Sequence, residues 1–167
     1  KDLPEIIKIF YKNNNIKHVS IPTNATYEDK IISSLERILS ECPDLFLNLN
    51  LSLNGLGKDH DELCQSDGVF NKFLSTYERL KNLKKKFSNL GIGLNVTHSK
   101  FSEDKLNDIV DYTVKNLKEI DNISLGLVRG RPKDSSAINV NIDKYKETVQ
   151  KIESYAVQGK IRTFNTF

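Results

Sequence analysis

Small polar side chains recur at the end of each predicted strand of this chain. They lie in four short segments, Thr23-Asn24-Ala25, Ser52-Leu53-Asn54-Gly55, Asn95-Val96-Thr97-His98 and Leu127-Val128-Arg129-Gly130. In parallel α/β proteins, ligands bind where the carboxyl ends of the strands meet. The hydroxyl, amide, imidazole and guanidinium groups of these segments suit a polar metabolite with hydroxyl, amine and carboxylate groups. The four segments together therefore predict a binding site.

This set of side chains contains no evident nucleophile with its own base. Asparagine and serine do not exchange protons near neutral pH, so difficult chemistry would need a cofactor. His98 has no carboxylate nearby in the sequence to orient it and is predicted to be a loop or capping residue. His60 beside Asp61 is interpreted in the same way, because nothing nearby indicates a metal site. For Arg129, carboxylate binding and pairing with an exposed acid both stay open.

One strand carries the prediction of the fold. From Leu45 to Asn54, leucines alternate at every second position with Phe46, Asn48, Asn50, Ser52 and Asn54, which is the period of a strand. A strand in a doubly wound sheet is instead an almost continuous aliphatic run. One apolar and one polar face favours a βα barrel whose inner face lines a ligand cavity. For the serine and the last asparagine, hydrogen bonds to their own loop remain the alternative.

Strands and amphipathic helices alternate along the whole chain. The predicted strands are Lys17–Thr23, Leu45–Asn54, Ile92–His98 and Ile123–Arg129. The predicted helices are Leu3–Tyr11, Tyr27–Glu41, a stripe from Phe70 to Leu83, a segment capped by Ser102 that reaches Leu117, and Asp143–Tyr155. Gly55 to Gly68 is predicted to be a long polar loop. This alternation predicts parallel strands with right-handed crossovers. The fold class is α/β, an open, TIM-barrel-like partial (βα) barrel of about four units in a single domain, 1–167, because a closed barrel needs about eight strands.

Composition excludes several classes of protein. A length of 167 residues with 38% hydrophobic and 28% charged residues is typical of one globular domain. The net charge of +3 is mixed along the chain and gives no support for nucleic-acid binding. No apolar stretch approaches the ~20 residues that span a bilayer, and no secretion signal is evident. We therefore expect a soluble, cytoplasmic protein without a membrane or nucleic-acid partner.

Two further features concern cysteine and methionine. Cys42 and Cys64 are too few and too far apart to suggest a disulfide scaffold or a metal knuckle, so both are expected to be reduced thiols. The chain begins at Lys1 and contains no methionine, which predicts that a segment once preceded it.

A series of short motifs resembles one enzyme family. In order, they are Lys1-Asp2-Leu3-Pro4, Thr23-Asn24-Ala25, Leu51-Ser52-Leu53-Asn54-Gly55, His60-Asp61, Gly68-Val69-Phe70, Asn95-Val96-Thr97 and Arg129-Gly130. Their sequence and order resemble the middle and C-terminal part of the radical S-adenosylmethionine (radical SAM) enzyme core, over nearly the whole chain. The resemblance implies strands three to six of a six-unit partial barrel. The Cys-x3-Cys-x2-Cys loop that holds the family's [4Fe–4S] cluster would then lie upstream of Lys1.

The resemblance implies contacts to S-adenosylmethionine (SAM) from residues at the strand ends. These residues are Thr23, Asn24, Ser52, Asn54, Asn95, Thr97, Leu127, Val128 and Arg129. Ser52 matches the serine expected to touch the SAM ribose, and Leu127 and Val128 match backbone that borders the adenine. Three positions depart from the family pattern. Ala25 replaces a glycine, Asn54 stands where aspartate is more usual, and Cys64 occupies the place of an arginine that binds the SAM carboxylate.

The implied reaction is reductive cleavage of SAM at the cluster, which gives a 5′-deoxyadenosyl radical that abstracts hydrogen from a small-molecule or peptide substrate. Without the cluster loop, this chain alone should not perform it. Two alternatives stay open. One is a non-catalytic or degenerate barrel module that binds a ligand or partner. The other is an ordinary βα-barrel enzyme, which would need a lysine or an acidic pair at the strand ends.

We also expect the isolated domain to self-associate through the exposed edge of its first strand.

Overall fold

Four parallel strands form a single sheet. The computed structural model describes residues 2–161, so Lys1 of the first motif lies outside the described residues. The strands are β1 (His18–Thr23), β2 (Phe46–Ser52), β3 (Leu90–His98) and β4 (Asn122–Leu127). They lie in the order β1-β2-β3-β4, and every neighbouring pair is parallel. This confirms the predicted α/β class and the open parallel sheet.

Helices precede, connect and follow these strands. They are α1 (Leu3–Asn14), α2 (Glu28–Glu41), α3 (Lys58–Cys64), α4 (Val69–Lys86), α5 (Leu106–Asn116) and α6 (Ile142–Val157), with a short 3₁₀ turn at Ser135–Ile138. Among residues 2–161, no helix is both long and apolar enough to cross a membrane.

The leucines of β2 form the buried side of the sheet. From Leu45 to Leu53 the odd-numbered leucines are at most 3% exposed, and they share one core with Leu35 of α2, Leu80 of α4 and Ile109 of α5. The strand order explains this one-sided packing. Strands that are added one after another through right-handed crossovers place their helices on the same face of the sheet. The opposite face, which we call the inner face, therefore lacks a helical layer.

The inner face carries small polar residues in register across the strands. Its rows are Ser20-Asn48-Gly91, Pro22-Asn50-Gly93-Asn122 and Ser52-Asn95-Ser124. Asn48 Nδ2 donates to Asn50 Oδ1 (2.8 Å), and Asn50 Nδ2 donates to Ser20 Oγ (2.6 Å). The two carboxamides lie over Gly91 and Gly93, where a Cβ would collide with them. The polar alternation predicted for β2 is thus a side-chain network that joins β2 to β1 and lies over the glycines of β3.

Two local predictions are wrong. The segment from Gly55 to Gly68 is not simply a loop, because it contains α3. Ser102 does not cap α5, which begins at Leu106. Instead, its hydroxyl donates to the carbonyl of Thr97 (2.6 Å) and accepts from the N–H of Ser99 (3.0 Å). The serine is a favoured capping type, but here it stabilises the turn that follows β3.

The free edge of β1 is partly blocked. Phe46 N–H donates to Lys17 O (2.8 Å), so alternate residues of β1 face β2, and His18, Ser20 and Pro22 face away from it. Pro22, which has no N–H, therefore faces the open edge, so no hydrogen bond between β1 and β2 is lost there.

We expect Gly93→Ala to destabilise the protein by about 1–3 kcal/mol, which is typical of overpacking. The added Cβ would collide with Asn50 Oδ1 and lie 3.0 Å from Asn122 Oδ1. The matched control is Gly126→Ala on the same face, where a Cβ meets nothing within 4 Å. Urea unfolding measures both changes. Equal effects of the two variants would show that the asparagine layer is not tightly packed.

Candidate functional site

A cleft of about 980 Å³ opens at the carboxyl ends of β2, β3 and β4. Strand-end residues on the inner-face side line its floor, namely Asn54, Thr97, Ser99 and Val128. One wall comes from α3 and the other from the segment 132–137 together with Phe101 and Lys105. This is the position at which parallel α/β proteins bind ligands.

The floor of the cleft is fixed by Asn54. Its side-chain Oδ1 accepts from the N–H of Thr97 (2.8 Å), and its own N–H donates to His60 Nδ1 (3.3 Å). Because Nδ1 is an acceptor, the proton of neutral His60 lies on Nε2, which is 3.7 Å from Cys64 Sγ. The ring is 1% exposed, and burial lowers the pKa of His60. His60 is therefore a positioning group for the end of β2.

Asp61, the neighbour of His60, fixes the start of α4. Its carboxylate accepts from the N–H groups of Phe70 (2.8 Å) and Gly68 (2.7 Å). These bonds, first that of Phe70, lower the pKa of Asp61. A carboxylate here is also favoured by the positive end of the helix dipole. The His-Asp motif thus attaches α3 to β2 on one side and to α4 on the other.

The opposite wall is held through Asn141. The carboxylate of Glu103 accepts from Asn141 N–H (2.8 Å), and His98 Nε2 lies 3.1 Å from Asn141 O. Lys100 Nζ also lies 2.8 Å from Glu103. Bonds from Lys100 and then from the Asn141 amide lower the pKa of Glu103 to about 2. His98, predicted to be a loop or capping residue, is instead the last residue of β3, and its 0% exposed ring holds Asn141 at the start of α6.

Charged residues lie on the rim of the cleft. Lys105 Nζ is 2.5 Å from Asp59 Oδ1, and Glu62, Lys133 and Asp134 also line the cleft. The strand-end residues that line the cleft include neither a lysine nor an acidic pair. Helix α3 and the loops supply both, which the sequence reasoning missed. A seven-residue helix is too short to show a clear apolar stripe, so only the His-Asp pair could have indicated this wall.

The structure brings together only some of the predicted site residues. Asn54, Thr97 and Val128 line the cleft, and Ser52 and Asn95 pair in register next to it on the inner face.

The other predicted residues lie elsewhere. Leu127 is 37% exposed and Arg129 is exposed, and neither lines the cleft. Thr23 lines a smaller cavity of about 280 Å³ beside α2, and its hydroxyl accepts from Ala25 N–H (3.2 Å). Asn24 Oδ1 accepts from the N–H and hydroxyl of Thr26. The polar side chains at the end of β1 are therefore hydrogen-bonded within the turn that follows the strand.

The cysteines do not fit an iron–sulfur cluster. Cys42 is buried at the C-terminal end of α2, which leads into β2, and Cys64 is exposed at the end of α3, which follows β2. Within residues 2–161 there is no group of three or more His, Cys, Asp or Glu side chains that could hold a metal ion. Any cluster ligands would have to come from outside this part of the chain.

Comparison with known proteins assigns no family, since no protein-family model and no curated protein matches the chain significantly.

We expect the stability of this domain to fall between about pH 4.5 and pH 2, partly through Glu103. Its pKa is lowered from 4.5 to about 2 in the folded state, so its contribution is present above about pH 4.5 and is lost as the folded carboxylate gains a proton. Urea unfolding at a series of pH values should give a smaller acid-dependent loss for Glu103→Gln. Glu153→Gln, at an exposed carboxylate on α6, is the control. An unchanged pH profile for Glu103→Gln would contradict the assignment.

Proposed function

We propose that this chain supplies the SAM- and substrate-binding strand ends of a radical SAM enzyme. The observation that carries the proposal is the polar inner face of a sequentially ordered parallel sheet, which continues upward into a cleft floored by Asn54, Thr97 and Val128. The order of the short motifs along the chain supports the same proposal. A partial barrel of this family would use such a face as its lumen.

The size and chemistry of the cleft support a ligand such as SAM. A volume of about 980 Å³ lies at the upper end of the range of small-molecule sites. Ser52 and Thr97 would offer hydroxyls to the ribose, and the backbone at Val128 would border the adenine. When bound at a cluster, SAM supplies a carbon-centred radical for hydrogen abstraction. The residues described here do not provide that cluster.

The contribution of this chain would be to position the ligand and to exclude water. Asn54 holds the Thr97 amide through its side chain, while His60 holds Asn54. Glu103 and His98 hold the opposite wall through Asn141. Because both walls are tied to the floor, the ligand groups face a preorganised site.

A second candidate, an ordinary βα-barrel enzyme, is favoured by one observation. The pair formed by Lys105 and Asp59 lies in the cleft at 2.5 Å, and lysines and carboxylates at this end of a barrel are common acid–base groups. A non-catalytic binding module is the third candidate, favoured by Cys64 at the arginine position of the family.

We also propose that the isolated chain self-associates through β1. His18 and Ser20 present unpaired backbone groups at this edge, and Ile6 and Phe10 of neighbouring α1 are 49% and 51% exposed. Sedimentation velocity should show concentration-dependent dimers that Ile6→Lys weakens. Val157→Lys, at a residue 89% exposed on α6, should leave them intact. A monomer over the whole concentration range would contradict this proposal.

We expect SAM to bind this chain weakly and Ser52→Ala to weaken that binding about two- to tenfold, the effect of one lost hydrogen bond. The Ser52 hydroxyl bonds to no other described side chain, so its loss should leave the fold intact. Isothermal titration of the anaerobic chain with SAM measures the affinity. Ser40→Ala, at an exposed serine of α2, is the control.

Two results separate the candidates. The absence of SAM binding, together with an encoding sequence that lacks the Cys-x3-Cys-x2-Cys spacing before Lys1, would refute the radical SAM proposal. SAM binding that is lost equally in both serine variants would place the ligand outside the predicted site.

A further inference from the structure

The inner face carries no charged side chain over the rows from Ser20 to Gly126, although 28% of the chain is charged. Its dominant residue is asparagine. The five asparagines, each on the same side of its strand, are Asn48, Asn50, Asn54, Asn95 and Asn122. A carboxamide both donates and accepts hydrogen bonds. The inner face is therefore uncharged, and its side chains can both donate and accept hydrogen bonds.

The deeper part of this face contains an unsatisfied acceptor. Asn122 is 2% exposed, and its Oδ1 has no hydrogen-bond partner among the described residues. It lies 3.0 Å from the position of a Cβ on Gly93, so it points over the inner face. Asn48 and Asn50, by contrast, bond to each other and to Ser20. A buried carbonyl without a donor is uncommon in native proteins and indicates a missing hydrogen-bond partner.

The next row toward the cleft is free to bind. Ser52, Asn95 and Ser124 pair in register across three strands, and all three are partly exposed. Their side chains make no hydrogen bond to another described residue. Adjacent strands lie about 4.8 Å apart, so this row presents a line of donors and acceptors beside the floor of the cleft.

We infer that the inner face is a subsite for an uncharged group that both donates and accepts hydrogen bonds, either a carboxamide or a set of hydroxyls. A charged group there would lose its water without gaining an opposite charge, which is unfavourable. Ionic groups of a ligand would instead be recognised at the rim of the cleft, by residues such as Lys105 and Lys133. This inference names the substrate class of the proposed enzyme, and it rests on the proposed function only for treating the bound ligand as a substrate.

The test compares matched neutral and charged probes on the ¹⁵N-labelled chain by NMR. One pair is asparagine and aspartate, each acetylated at its amine and amidated at its α-carboxyl, so that only the aspartate side chain is charged. The other pair is sorbitol and sorbitol 6-phosphate. The neutral member of at least one pair should shift the side-chain NH₂ signals of Asn95 and Asn122. Its charged counterpart should bind at least about tenfold more weakly. Which pair responds identifies the carboxamide or the polyol as the ligand chemistry.

Variants locate the binding. Asn95→Asp should remove the shifts caused by the neutral probe, and Asn116→Asp, at an exposed residue of α5, should retain them. If Asn95→Asp disturbs the fold, the milder Ser124→Ala should still weaken binding severalfold. Equal or tighter binding of the charged probes, or no shift with any probe, would overturn the inference.

The same samples separate this inference from the proposed function. Binding of a neutral probe without SAM binding would refute the radical SAM proposal and leave the subsite established. SAM binding at the cleft without any neutral-probe binding would refute the subsite alone.

Discussion

One-sided packing of the sheet is the constraint on which the rest of the structure depends. Because the strands follow one another without a reversal of order, their helices collect on one face. β2 therefore needs aliphatic side chains there only, and burying a leucine stabilises the fold by about 1.5–3 kcal/mol. Three such leucines in β2 and one on each side of it fix the register, since a shift by one residue would bury Asn48 and Asn50 under the helices. The polar face thus follows from the same alternation that builds the core.

A second constraint links the polar face to its glycines. The carboxamides of Asn48 and Asn50 lie flat over β3, and they can do so because Gly91 and Gly93 leave no Cβ in their way. Glycine weakens a strand by about 0.5–1 kcal/mol relative to alanine. Here two glycines in one strand permit a partly buried polar network that a leucine face could not provide. Asn122 Oδ1, which lies beside this network on the inner face, has no hydrogen-bond donor among the described residues.

The sequence predicted the sheet well because its signals are periodic. The alternation in β2 and the helical stripes of α2, α4 and α5 repeat often enough to identify each element. Non-periodic features were missed for physical reasons. Helix α3 has too few turns to show a stripe. Ser102 has the residue type of a cap, but its hydroxyl bonds to the turn formed by Thr97 and Ser99. The hydrogen bond from the N–H of Asn141 to Glu103 joins residues that are distant in sequence, so no local sequence pattern predicts it.

The distribution of charge in the site follows from how each part is held. The floor is made of residues in or just beyond the strand ends, where the sheet fixes the backbone, so neutral amides and hydroxyls would suffice to orient a ligand there. The walls are loops and a short helix, and these need stronger anchors. Charge-assisted hydrogen bonds provide them, donated by N–H groups at the start of α4 to Asp61 and by the N–H of Asn141 to Glu103, because such bonds are roughly twice as strong as neutral ones. The anchoring carboxylates are therefore fully engaged in holding the walls. Lys133 and Glu62 are among the charged residues that remain at the mouth, and under the proposed function they would recognise the ionic end of a ligand.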